Sequence, residues 1–146
     1  MIKTRSLNFI NKVIVHCSAT DEKDADDIEV LRKWHMLRGW DDVGYHFFIR
    51  SDGSIFKGRD LNQYGAHCIG QNSTSIGICL SGKEEFSQEQ FFALGSLYQV
   101  LCMELNKDLP VYPHRDFNAN KTCPNFDLAM FDKWLPPSEA ITPQEK

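Results

Sequence analysis

Short runs of β-branched and aromatic residues alternate along this chain with longer segments that repeat at helical spacing. The runs at 13–15 (Val-Ile-Val) and 75–80 (Ser-Ile-Gly-Ile-Cys-Leu) predict buried strands. Residues 45–49 and 55–57 flank a Ser-Asp-Gly-Ser turn and predict a hairpin. A shorter extended piece is expected at 111–112. Because strands and helices are interspersed, the expected fold class is α/β (mixed α+β), with a central mixed β-sheet flanked by helices.

The helical segments have recognisable boundaries. Apolar residues repeat at helical spacing over 26–38, which predicts a first helix. Ser87, with Gln90 three positions later, predicts a capping box at the start of a second helix. That helix is expected to end at Asn106. A last short helix is expected over 127–135, where a Pro-Pro pair stops it.

The length of 146 residues is that of one domain with a core of its own. We expect an N-terminal arm over 1–11, a single folded domain over 12–135 and a polar C-terminal tail over 136–146. Residues 58–74 are rich in Gly, Asn and other polar residues and show little periodicity. They predict a long surface loop, and ordered loops of this length are often functional.

Charge and hydropathy exclude two classes of partner. The net charge of −4 argues against direct binding of nucleic acid. No apolar run approaches the roughly 20 residues that a membrane-spanning helix needs. The N-terminus also lacks the apolar segment and cleavage site of a secretory signal peptide. The chain is therefore expected to be made in a cytosol. It is also expected to be a monomer.

Histidine and cysteine are the residues with the clearest chemical potential. His16 ends a predicted strand, His114 follows an apolar pair, and Cys123 lies in a loop. Two imidazoles and one thiolate make up the three protein ligands of a catalytic Zn²⁺, whose fourth position stays open to water. Each has an ordinary alternative when taken alone, since a strand-end His is commonly structural and a loop Cys is commonly inert. The odd number of cysteines and the absence of a signal peptide disfavour a disulfide framework. The lack of a Cys-x-x-Cys pair excludes a zinc ribbon or a thioredoxin-like motif.

The surroundings of these residues carry a resemblance. Short motifs appear in one order along the chain: Val-His-Cys-Ser-Ala-Thr (15–20), Trp-His-x-x-x-Gly-Trp (34–40), Asp-Val-Gly-Tyr-His-Phe (42–47), Gly-Arg-Asp (58–60), Gly-Ala-His (65–67), Asn-x-x-Ser-Ile-Gly-Ile (72–78), Pro-His-Arg-Asp (113–116) and Lys-Thr-Cys-Pro (121–124). Because of these motifs and their order, residues 12–135 resemble the type 2 N-acetylmuramoyl-L-alanine amidase and peptidoglycan-recognition-protein family. The likeness is particularly to the bacteriophage amidase endolysins of the T7 lysozyme kind.

The resemblance implies a role for each matching residue. It makes His16, His114 and Cys123 the zinc ligands, with Tyr45 and Lys121 as catalytic residues. It implies a sheet flanked by helices and one zinc ion at the bottom of a surface groove. The implied reaction is zinc-dependent hydrolysis of the amide bond between N-acetylmuramoyl and L-alanine in peptidoglycan.

Two residues of the long loop region, His67 and Asn72, are candidate substrate contacts. His46 is expected to face away from Tyr45 because neighbouring side chains of a strand alternate, and His35 lies on a helix face. Both are expected to be structural.

Other functions stay open. Many members of the resembled family bind peptidoglycan without cutting it, although such members typically lack the full ligand set. Some phage amidases of this kind also restrain a phage RNA polymerase, partly through the N-terminal region. A cysteine hydrolase would use Cys17 or Cys123 with a histidine base, and a glycosidase would need a suitable pair of carboxylates. For an endolysin, the expected route is synthesis in the host cytoplasm and access to the cell wall after release by a holin or after lysis.

Overall fold

The computed structural model of the protein describes residues 1–128, and within them a single mixed sheet forms the centre of the fold. The strands run in the order β3-β2-β4-β1-β5 across the sheet. Only β3 is antiparallel to its neighbour. Their bounds are Lys12–Cys17 (β1), Phe47–Ile49 (β2), Ile55–Lys57 (β3), Ser75–Leu80 (β4) and Val111–Pro113 (β5). The predicted mixed α/β fold and the hairpin are confirmed.

The helices begin and end on residues suited to those positions. In α1 (Ile28–Leu37), the side chain of the N-cap Asp27 accepts a hydrogen bond from a backbone N–H of the first turn. In α2 (Gln88–Leu105), Ser87 and Gln90 form the predicted capping box. That helix ends at Asn106, whose left-handed φ of 55° is tolerated by asparagine. The helix predicted over 127–135 and the tail over 136–146 lie outside the described residues, apart from 127 and 128.

The two central strands, β1 and β4, are buried along nearly their whole length, which is usual for parallel strands covered on both faces. One face packs against α2 and carries the larger apolar cluster, which includes Val13, Val15, Ile76 and Leu94. The other face packs against α1. It carries a smaller apolar cluster and, unusually for a core, histidine side chains. The functional residues lie on this second face.

The N-terminal residues pack into the domain. Ile10 is fully buried in the larger cluster. Thr4 forms a β-bridge with Gln63, and the carbonyl of Lys3 accepts a hydrogen bond from the backbone of Tyr64. Residues 1–11 therefore hold the segment 61–64, which belongs to the predicted long loop. In the described part of the chain, neither helix has the length and apolar composition needed to cross a bilayer.

Arg5 connects this arm to the interior. Its guanidinium is buried and donates to the carbonyl oxygens of Leu61 at 2.9 Å, Asn72 at 3.2 Å and Ser75 at 2.9 Å. Burial lowers the pKa of Arg5 to about 10, so the group still carries its charge at neutral pH. A guanidinium with several donors can bind three carbonyls at once, whereas a lysine could not do so in the same geometry.

Replacing Arg5 with methionine should destabilise the protein. The change leaves three carbonyl oxygens without their donor, and we expect the free energy of unfolding in urea to fall by about 2–4 kcal/mol. Lys3→Met removes the same charge from an exposed position on the same arm and should change it by less than about 0.5 kcal/mol. Equal effects of the two variants would contradict the structural role of Arg5.

Candidate active site

Two parallel strands bring the first two candidate ligands together. His16 lies at the carboxyl end of β1, and His114 follows β5 directly. Since β1 pairs with β5 in parallel, with Val15 opposite Pro113, the next residue of each strand lies at the same edge of the sheet. The two imidazole rings are 4.3 Å apart between centroids.

Cys123 reaches the same place from a loop. Its Sγ lies 2.7 Å from the backbone nitrogen of Cys17, the residue after His16. The side-chain hydrogen bond with Cys17 and burial raise the pKa of the Cys123 thiol by more than the backbone N–H of Cys17 lowers it, so this pKa lies well above its usual value. A bound metal ion would have to displace the thiol proton. The candidate ligand atoms of His16, His114 and Cys123 all lie within 4.8 Å of one another.

The donor atoms of this cluster, and the protonation of its two histidines, fit the requirements of a metal site. Burial, and secondarily the neighbouring His114, hold the pKa of His16 well below its usual value. Burial also lowers the pKa of His114. Both imidazoles are therefore neutral at pH 7, as metal ligands must be. His16 is buried, whereas His114 and Cys123 are partly exposed, so the cluster is open towards solvent on their side.

Tyr45 lies beside the cluster, just before β2. Its ring is 5.1 Å from the ring of His16 and 5.6 Å from that of His35. The Nδ1 of His35 accepts a hydrogen bond from the backbone N–H of Gly44 at 2.9 Å, and this holds the backbone next to Tyr45 in place. Burial raises the pKa of Tyr45 well above its usual value, so the phenol is protonated. In this state it can donate a hydrogen bond.

Lys121 is exposed and lies in the loop that carries Cys123. Its backbone N–H donates to the carbonyl of Asn118 at 3.0 Å, within a turn. Burial is the larger cause of the lowered pKa of His114, and the positive charge of Lys121 lowers this pKa further. The side chain therefore adds positive potential at the open side of the cluster.

The loop residues expected to bind substrate have protein partners. His67 is buried; its Nδ1 lies 2.7 Å from Nε2 of His16, and its Nε2 lies 3.1 Å from Oγ of Ser75. The Oδ1 of Asn72 accepts the backbone N–H groups of His67 and Cys68, both at 2.9 Å. Both ring nitrogens of His67 are thus engaged. In the free protein these contacts hold His67 next to His16, and the substrate contacts expected of His67 and Asn72 stay predictions.

His46 and His35 are internal, as predicted. His46 is fully buried, receives the backbone N–H of Gly77 at Nδ1 and contacts the carbonyl of Gln63 through Nε2. Burial lowers the pKa of both histidines to about 4. They are neutral packing groups at physiological pH.

Comparison with known proteins agrees with this arrangement. The family profile described as N-acetylmuramoyl-L-alanine amidase matches residues 6–126. The chain belongs to the N-acetylmuramoyl-L-alanine amidase family.

Relatives in this family share most of the chain. An endolysin of Enterobacteria phage K11 is 38% identical over 140 residues, which cover 90% of this chain and 89% of that protein. An endolysin of Escherichia phage T7 is 36% identical over 138 residues, covering 89% of this chain and 88% of that protein. Among solved structures, the N-acetylmuramoyl-L-alanine amidase LysC from Clostridium intestinale URNW has a TM-score of 0.77 at 29% identity, with 90% of this chain and 89% of that one covered. The predicted family and enzyme class are confirmed.

Two arginines of this amidase position parts of the site but were not predicted to do so from the sequence. They are the buried Arg59 and the partly buried Arg115. Arg59 donates to the carbonyls of Val43 at 2.8 Å and Tyr64 at 2.7 Å. The contact with Val43 fixes the backbone that leads into Tyr45. It lies in the Gly-Arg-Asp motif, which was the available signal.

Arg115 holds the loop that carries Cys123. Its backbone N–H donates to the carbonyl of Cys123 at 2.9 Å. Its guanidinium donates to the carbonyls of Thr122 at 3.3 Å and Phe126 at 3.1 Å, and also to that of Pro124. Arg115, which follows the candidate ligand His114, therefore positions the loop that carries the candidate ligand Cys123.

Replacing Arg115 with methionine should loosen this loop. Hydrogen–deuterium exchange of backbone amides over 120–126 should become at least about 10-fold faster, since the guanidinium hydrogen bonds that close the loop are lost. Exchange in α2 should not change. Arg50→Met removes an arginine whose nearest carboxylate contact, to Asp26, is 3.9 Å, and serves as the control. Unchanged exchange over 120–126 in Arg115→Met would show that the loop does not depend on Arg115.

Proposed function

We propose that this chain is a zinc-dependent amidase that hydrolyses the bond between N-acetylmuramoyl and L-alanine in peptidoglycan. The observation that supports it most directly is the cluster of His16, His114 and Cys123. His16 is distant in sequence from His114 and Cys123, yet the three residues converge, with neutral imidazoles, where parallel strands end. The amidase family match and the endolysin relatives support the same substrate.

The donor set suits Zn²⁺. Two imidazole nitrogens and one thiolate sulfur are the ligand types this ion prefers, with a fourth position for water. Tetrahedral coordination at the usual bond lengths needs donor separations of about 3.3–3.6 Å, and the donor atoms of this cluster all lie within 4.8 Å of one another. The donors therefore need to approach one another by no more than about 1.5 Å to coordinate one ion. When bound, the ion lowers the pKa of water and polarises a carbonyl oxygen.

Tyr45 acts in this proposal as a hydrogen-bond donor. Its phenol is protonated because burial raises its pKa. A protonated phenol can donate to the oxyanion that develops on the scissile carbonyl, or orient the attacking water. A role as general base comes second, because deprotonation is disfavoured in this environment.

Lys121 supplies positive charge at the same site. It is exposed in the free protein and close enough to His114 to contribute to its lowered pKa. An ammonium group at the open side of the cluster stabilises negative charge on the tetrahedral intermediate, and substrate binding would exclude water from this contact and strengthen it.

The biological role that follows is host lysis. Relatives named as endolysins support an action on the cell wall. In this proposal the chain is made in the host cytoplasm as a monomer and reaches the wall after holin-type release or lysis. Restraint of a phage RNA polymerase as an added role stays a prediction.

The test is incubation of the purified protein with washed peptidoglycan, counting new L-alanine α-amino groups and new reducing sugar ends. We expect amino groups without reducing ends, loss of activity on chelation and recovery with zinc. Cys123→Ser should lower activity at least about 100-fold because it removes a ligand. Cys102→Ser changes a thiol that packs beside the larger apolar cluster and is the matched control.

Three other outcomes would each reject the proposal. Binding to peptidoglycan without new amino groups would make the chain a recognition protein. Activity that survives chelation and is lost on thiol alkylation would indicate a cysteine hydrolase. New reducing ends would indicate cleavage of the glycan strand.

A further inference from the structure

A chain of hydrogen bonds runs from His16 into the interior, away from His114 and Cys123. Nε2 of His16 lies 2.7 Å from Nδ1 of His67. Nε2 of His67 lies 3.1 Å from Oγ of Ser75, and that hydroxyl donates to the carbonyl of Gln71 at 2.7 Å. The reaction proposed above uses only His16 of these four residues.

The direction of each hydrogen bond in this chain follows from its last member. A carbonyl oxygen only accepts, so the single hydroxyl proton of Ser75 points to Gln71. Oγ of Ser75 must then accept from His67, which places the ring proton of His67 on Nε2. His67 is buried, and its ring nitrogens contact an imidazole and a hydroxyl instead of a carboxylate, so the ring is neutral and its Nδ1 is an acceptor. His16 is therefore the donor, through Nε2–H.

His16 is buried as well, so its ring is neutral and carries one N–H. With the proton on Nε2, the lone pair that is left for a metal is on Nδ1. Metal-binding histidines commonly donate their second nitrogen to a partner that fixes ring orientation and tautomer. His67 is placed to be that partner, although its own acceptor is an imidazole instead of the more usual carboxylate or carbonyl.

The slot that holds the ring of His67 is made by two glycines. A Cβ on Gly65 would lie 2.4 Å from Cδ2 of His67, and a Cβ on Gly77 would lie 2.6 Å from the same atom. Such contacts are impossible without a shift, so a side chain at either position would displace the imidazole. Gly77 is in β4, opposite Ile14 of β1, and leaves the space beside the central strands that the ring fills.

The backbone on either side of His67 is also fixed. Oδ1 of Asn72 accepts the N–H groups of His67 and Cys68, and the backbone of Ala66 donates to the carbonyl of Gly44 at 2.9 Å. The position of the ring is therefore set from three sides: by its backbone, by the glycine slot and by Ser75. A group held in this way can orient a neighbour.

We propose that His67, backed by Ser75, is a positioning residue that holds His16 as its Nε2–H tautomer and presents Nδ1 to the metal. The inference rests on the proposed zinc amidase function. In this proposal His67 acts on the metal through His16. The Gly-Ala-His motif supplies the ring and Gly65, and the Ser-Ile-Gly motif supplies Ser75 and Gly77, which hold that ring in place.

The first measurement is the tautomer of His16 in the zinc-free protein, read from the ¹⁵N chemical shifts and couplings of the ring nitrogens by NMR. We expect the proton on Nε2. This readout is independent of catalysis and of metal loading. A proton on Nδ1 of His16 in the wild-type protein would overturn the proposal.

The second measurement is zinc affinity by competition with a chelating dye. His67→Phe keeps a ring of similar size without an acceptor, and should weaken zinc binding by about 10- to 100-fold. His67→Asn is the rescue variant, because Oδ1 of asparagine can occupy the place of Nδ1 and accept from His16. It should bind zinc within about 3-fold of the wild type.

Ser75→Ala tests the second link. Without the hydroxyl, the Nε2–H of His67 has no acceptor, so His67 is no longer held with its proton on Nε2 and its acceptor on Nδ1. The Nε2–H form of His16 should then become less populated, and zinc binding should become weaker. Ser73→Ala, two residues away and outside the hydrogen-bond chain, is the matched control. Thermal unfolding with excess chelator separates these effects from loss of the fold.

The outcomes distinguish this proposal from the zinc amidase proposal. If the wild type binds zinc and His67→Phe binds it equally well with His16 in the same tautomer, the positioning role is wrong and the amidase function stands. If the wild type does not bind zinc, the amidase proposal fails, and this inference falls with it. If His67→Phe does not fold, the tautomer in the wild type and in Ser75→Ala still decides the matter.

Discussion

The parallel pairing of β1 with β5 is the constraint on which the candidate active site depends. Parallel strands end at the same edge of a sheet, and here the residue after each paired segment is a histidine. His16 and His114 are separated by nearly a hundred residues of chain, and this pairing brings their rings to 4.3 Å. The same edge receives Cys123, whose sulfur faces the backbone where β1 ends. Any shift in the register of β5 would separate the two histidines.

Behind this edge, the face of the sheet that packs against α1 is polar to an unusual degree. His46, His67 and Arg5 are buried there among carbonyl oxygens and backbone N–H groups. Burial keeps the histidines neutral, so they form directional hydrogen bonds without the energetic penalty of a buried unpaired charge. In a medium of low dielectric constant such bonds are strong when all members are satisfied. The polar interior thus holds the site residues in one arrangement.

Much of the fold could be predicted from the sequence, because its signals are local. The β-branched run of β1, the turn between β2 and β3, and the pairing of Ser87 with Gln90 each act within a few residues. The bounds of β2 were less predictable. Its first expected residues, Tyr45 and His46, lie outside the strand. Their carbonyl oxygens accept hydrogen bonds from the backbone N–H groups of Arg59 and Gly58, which follow β3.

The site was predictable only in part, and for a physical reason. Local patterns show that His16 ends a strand, but not which other side chains share its edge; motif resemblance supplied that grouping. Resemblance gave no partners for the loop residues. His67 was expected to contact the substrate because Gly-Ala-His lies in the long polar loop. No local pattern showed that Gly65 and Gly77 leave space for its ring beside the central strands. Arg115 likewise acts through carbonyl contacts that no spacing rule encodes.

The central claim is that His16, His114 and Cys123 together hold one zinc ion. X-ray absorption spectroscopy at the zinc edge, on wild-type protein loaded with one ion per chain, tests it most directly. We expect a shell of one sulfur at about 2.3 Å and two imidazole nitrogens at about 2.0–2.1 Å, with one further light ligand. A spectrum without sulfur, or with several sulfurs, would contradict the assignment of these three residues.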